Sequence, residues 1–83
     1  MSTVYKLPLV LEPQPEGGYV VTCPLLPELI TEGDSVAEAI QNANDALAAI
    51  IEAFADLNRP LPPVLQPAQS SAPIWMETVL AVP

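Results

Sequence analysis

Apolar residues alternate with others at the start of the chain. Tyr5, Leu7, Leu9 and Leu11 fall two apart, the period of a strand with one buried face. Pro8 interrupts the run. Proline cannot donate to a ladder, so pairing is expected mainly after Pro8, or with its nitrogen turned away from the neighbouring strand. Pro13-Gln14-Pro15-Glu16-Gly17-Gly18 reads as a turn, with two glycines able to take the positive φ of a hairpin. Tyr19-Val20-Val21-Thr22-Cys23 is rich in aromatic and β-branched residues and reads as the returning antiparallel strand. Pro24 and Pro27 bracket Leu25-Leu26 and stop it. Glu28-Leu29-Ile30-Thr31 predicts a short third strand ended by Gly33.

The period then changes. Val36, Ile40, Ala43, Leu47, Ile50, Phe54 and Leu57 recur at spacings of three and four, which predicts one apolar face of a helix over 36–57. Ser35 and Glu38 have the spacing of a capping box, and Asp34 offers a second cap beside the positive helix end. Asn58 tolerates a left-handed cap and Pro60 cannot continue a helix. Such a helix spans roughly 33 Å at 1.5 Å per residue, whereas five- or six-residue strands span about 17–20 Å. The helix should overhang its sheet. Its far end carries Ile50, Ile51, Phe54 and Leu57, which need cover from the following loop or from a second subunit.

Residues 60–73 hold five of the eleven prolines and almost no charge, and predict an extended connection without regular structure. Pro60-Leu61-Pro62-Pro63 has the spacing of a proline-rich ligand for an aromatic groove, but a stiff structural loop accounts for it without a partner. Ile74 to Val82 predicts a final strand. Both of its faces are largely apolar, so it should be buried on both sides or serve an interface. The predicted architecture is α+β, ordered β-β-β-α-β: a mainly antiparallel sheet with one long helix on one face. It forms a single domain over 1–83.

Composition adds a constraint. Of 83 residues, 51% are hydrophobic and 14% charged, while so short a chain buries only about 60–65% of its unfolded surface. This apolar load predicts a homo-oligomer, a dimer or tetramer, with Ile50, Phe54, Leu57 and Trp75 near the contact because aromatic anchors concentrate at interfaces. Ten acids against two bases give a net charge of −8, which disfavours direct nucleic-acid binding. The charge serves solubility, and it also suits a basic partner. No basic-then-apolar leader precedes the first strand and no run is long enough to span a bilayer, so the cytosol is the expected compartment and no membrane partner is expected.

Candidate chemistry is sparse. There is no histidine, the commonest general base and metal ligand. The single cysteine, Cys23, sits in an apolar strand with no base to activate it and reads as a small buried hydrophobe. The acids lie on turns and on solvent faces of the helix, and none converge by spacing. Ser35 is explained by capping, and no phosphate loop or paired Cys-x-x-Cys occurs. No catalytic residue, cofactor or metal site is expected, and a binding or structural role is favoured over an enzyme.

The ordered set Glu12-Pro13, Glu16-Gly17-Gly18-Tyr19-Val20-Val21, Pro24, Leu26-Pro27, Ile30-Thr31, Gly33-Asp34-Ser35 and Glu38-Ala39 resembles the HicB-like antitoxin family. The resemblance covers residues 5–57 by motif and the rest by topology. This chain has Glu28-Leu29 where the family usually has Gly-Cys. The resemblance implies a partial RNase H-like fold, with a fourth strand beside the first. Full nucleases of that fold place carboxylates mid-strand, where this chain has Leu9-Val10-Leu11, so a two-metal nuclease is not expected. The family implies a partner: a small basic RNA-cleaving toxin of the HicA type, neutralised by masking. An orphan, self-associating protein is the alternative, and a nuclease relic ranks last. Many members add a C-terminal DNA-binding domain. This chain reaches Pro83 just after the predicted last strand, so direct operator binding is not expected of it.

Overall fold

The computed structural model describes residues 5–65, together with Pro73 and Val82. Three strands, β1 (Val10–Pro13), β2 (Tyr19–Thr22) and β3 (Ile30–Gly33), form an antiparallel sheet in the order β1-β2-β3. One long helix, α1 (Val36–Asp56), packs against it, and a single 3-10 turn follows at Pro63–Leu65. The arrangement is α+β, as the change of period predicts. Regular pairing begins after Pro8, at Val10 opposite Thr22. The predicted last strand, with Trp75, lies outside the described residues except for Val82.

Local chemistry accounts for each corner. The hairpin between β1 and β2 closes through Gln14 N–H to the Gly18 carbonyl at 3.0 Å and Gly17 N–H to the Gln14 carbonyl at 2.9 Å. Gly17 and Gly18 both take positive φ, +104° and +78°, which no β-branched residue adopts cheaply. Between β2 and β3, Leu26 N–H bonds the Cys23 carbonyl at 3.2 Å and Leu29 N–H bonds the Leu26 carbonyl at 3.0 Å. These two successive turns, framed by Pro24 and Pro27, drive Leu26 and Leu29 inward, each 1% exposed. They also correct the third strand: Glu28 and Leu29 belong to the corner, and pairing starts at Ile30.

Val21 lies at the centre of the core, between Leu11 and Thr31 in register. Around it are Cys23, Leu26, Leu29, Ala39, Ala43 and Leu65, all buried. Tyr5, Leu7, Leu9 and Leu11 pack against this cluster from one side, as their alternation predicts. Full burial of a side chain such as Leu26 or Leu29 stabilises by about 1.5–3 kcal/mol. Leu61, Val64 and Leu65 fold back onto the same cluster. Over residues 60–65 the proline-rich segment is therefore not simply extended: with Pro63 preset for the second turn position, Leu65 N–H closes on the Pro62 carbonyl at 2.8 Å.

The helix ends are capped as expected. Ser35 Oγ accepts from Glu38 N–H at 3.1 Å, and Glu38 Oε1 accepts from Asp34 N–H at 3.4 Å. At the other end Asn58 takes φ +54°. Arg59 N–H bonds the Phe54 carbonyl and Asn58 N–H bonds the Ala55 carbonyl, both at 3.0 Å, the pair of bonds that defines a Schellman motif. The buried face matches the predicted one at Ala43, Leu47 and Ile50 and departs from it at Ile40 and Leu57. Ala39 is fully buried and Ile40 is 41% exposed. Leu57, also assigned to the core face by its spacing, is 64% exposed.

Candidate functional site

Among the described residues, a polar and an apolar depression stand out. The polar cleft, about 350 Å³, lies where the β1–β2 hairpin meets the start of α1. Glu16 comes from the hairpin, Glu32 from β3, Asp34 from the strand–helix turn and Glu38 from the first helical turn. Asn42 also lines the cleft and donates from Nδ2 to the Glu32 carbonyl at 2.7 Å. That bond satisfies a backbone acceptor on the edge strand, which would otherwise be open to another chain. Gly18 also belongs here. A Cβ at this position would stand 3.0 Å from the Gly33 carbonyl oxygen, so the hairpin tip can lie close on the end of β3.

The four acids line one cleft although their spacing along the chain does not group them. Each is solvent-exposed, and Glu38 is already engaged in capping. Among the described residues no group of three potential metal ligands is close enough to hold an ion, and no polar or charged side chain is buried. The cleft supplies negative potential rather than a desolvated acid or base. Cys23 is buried and free, in keeping with its reading as a core hydrophobe.

The apolar groove, about 410 Å³, runs along the C-terminal half of α1. Ile50, Phe54 and Leu57 line it, so the structure brings together three of the four residues expected near a contact. Trp75, the fourth, lies outside the described residues. Ala49, Ala53, Glu28 and Arg59 complete the lining. Sequence reasoning passed over these four. The recurrence Ala49, Ala53, Leu57 at i, i+4, i+8 was the available signal; alanine's weak hydrophobicity hid it. Glu28 reaches the groove only because the β2–β3 corner carries it there. Among the described residues, no helix is long and apolar enough to cross a membrane.

Comparison with known proteins supplies the context. A family model described as the HicB-like antitoxin of bacterial toxin–antitoxin systems matches residues 6–79. Antitoxin HicB of Escherichia coli K12 is 40% identical over 57 residues, 69% of this chain and 41% of that protein. Antitoxin HicB 1 of Photorhabdus laumondii is 42% identical over 57 residues, 69% of this chain and 37% of that protein. The UPF0150 protein ssr1765 of Synechocystis sp. is 36% identical over 59 residues, 71% of this chain and 75% of that protein. The chain thus spans about two fifths of the length of the HicB proteins it matches. The match to the family model extends over most of the sequence and takes in the hairpin, the β2–β3 corner and the capped helix start described above: the chain belongs to the HicB-like antitoxin family.

Proposed function

We propose that this chain is an antitoxin that neutralises a small, basic, RNA-cleaving toxin of the HicA type by covering its surface in the cytosol, without catalysis of its own. Family membership carries the reading. The net charge of −8 supports it, because a strongly acidic protein attracts a basic one over long range and speeds encounter. The convergence of Glu16, Glu32, Asp34 and Glu38 on one cleft concentrates that field on one side. The partial RNase H-like topology belongs to the same reading. Lys6 Nζ donates to the Pro73 carbonyl at 2.9 Å, a contact between the first segment and residue 73 that supports it.

Co-expression tests it. A small basic reading frame beside the gene is expressed alone and then with this chain. Growth arrest relieved by co-expression, with the two proteins co-purifying, is the expected result. Arrest that persists with this chain present and soluble overturns the proposal.

A further inference from the structure

The apolar groove at the end of α1 has features that select its occupant. Leu57 stands 64% exposed on the last turn, and Ala49 and Ala53 are exposed on the same stripe. Ile50 and Phe54 are half-buried and form one wall. The charged residues of the groove are one acid and one base, Glu28 and Arg59. Arg59 is one of only two basic residues in the chain.

We propose that this groove is the contact between two copies of the chain, paired antiparallel about a two-fold axis that passes near Ala53. Residues 57 and 49 are equidistant from 53, so in such a pair each Leu57 faces the partner's Ala49. A large side chain then enters the space left by a small one, the complementarity that close helix packing requires. The two-fold brings the Glu28–Arg59 side of one groove against the same side of the other. Arg59 thereby meets the partner's Glu28, and the relation repeats in reverse, as an isologous contact demands.

Charge selects a second copy over a basic protein. Two chains of net charge −8 repel wherever acids dominate the surface, so self-association needs a place where the local charge sums to zero. The groove is such a place. A basic partner gains little there, since Arg59 offsets Glu28. Asp45, Glu52 and Asp56 border the opposite side of the helix stripe, away from Ile50 and Phe54, so the pair leans toward the groove. The contact is one helix end, at the small end of specific interfaces, and its association is expected to depend on concentration.

Sedimentation of the 83-residue chain from micromolar to millimolar concentration tests this. The expected result is a mass that rises toward twice that of the chain. Leu57→Asp and Arg59→Glu should each move the midpoint to at least about tenfold higher concentration. The double exchange Glu28→Arg with Arg59→Glu should bring it back toward the unmodified value, because it restores both cross pairs. Leu57 and Arg59 are exposed, so denaturation midpoints should stay put and report that folding is intact. A chain that stays monomeric throughout overturns the inference. So does an assembly indifferent to Leu57→Asp, or an Arg59→Glu defect that the double exchange does not repair. Loss of toxin neutralisation in Leu57→Asp with self-association unchanged assigns the groove to the other partner, and also overturns it. The inference stands independently of the antitoxin reading, since it is measured on this chain alone.

Discussion

A methyl group placed on Gly33 would stand 2.6 Å from the Ala39 Cα and 2.9 Å from the Glu38 carbonyl carbon. Both neighbours are helix backbone and cannot step aside singly. Gly33→Ala should therefore push α1 off the end of β3 and destabilise by about 3 kcal/mol, the upper range for overpacking. Gly17→Ala is the useful contrast. No atom lies within 4 Å of its Cβ position, but φ is +104°, so its cost of about 1–2 kcal/mol is conformational alone. Urea midpoints of the two variants should rank Gly33→Ala below Gly17→Ala. Equal midpoints would mean that the strand–helix approach is looser than described. The hairpin glycines are legible from sequence because a turn announces itself by composition. Gly33 reads equally well as a turn residue, and its true reason, a helix backbone crossing at contact distance, depends on a segment five residues later.

The same close approach explains why the helix was legible in its extent and in most of its face, but not where that face meets β3. Caps depend on local residues, so Ser35, Glu38 and Asn58 mark the ends of α1 correctly. The buried face is selected by tertiary contact. Where β3 meets the helix only a small side chain fits, so Ala39 is buried and Ile40, the stronger hydrophobe, is turned outward. Hydropathy favours the larger residue and misassigns the pair. Ile40→Gln should accordingly change stability by less than about 0.5 kcal/mol. Ala39→Leu should cost about 2–3 kcal/mol by overpacking. Thermal or chemical denaturation of the two variants distinguishes the phases, and the reverse ranking would restore the face read from spacing. The third strand moved for a related reason. Leu29 is β-compatible, yet its N–H is taken by the Leu26 carbonyl, and that bond keeps it out of the ladder. Likewise Leu65 is invisible as a core residue in a proline-rich run. It is fully buried because the turn at Pro62-Pro63 aims it back at Val21 and its neighbours.

At the scale of the molecule, a net charge of −8 makes its two proposed associations respond oppositely to salt. Coulomb work scales with the product of the charges. For two copies of this chain the product is positive, so the long-range field opposes pairing and only the groove favours it. For a basic toxin the product is negative, and the field assists. Screening shortens the field from about 30 Å at 0.01 M to about 8 Å at 0.15 M salt. Raising salt across that range should tighten self-association measured by sedimentation and slow capture of a basic toxin measured by stopped flow. Glu16→Lys with Glu32→Lys makes the same test at a fixed salt concentration. Each exchange adds two charges, so the net charge becomes −8 + 4 = −4. Both side chains are exposed, and Glu32 gives only its backbone carbonyl to Asn42, so folding should be unaffected. The variant should associate with the toxin about tenfold more slowly at low salt, while its self-association strengthens. If the two associations move in the same direction, charge does not divide the surface between a partner side and a self side, and the acidic cleft loses its proposed role in drawing the toxin in.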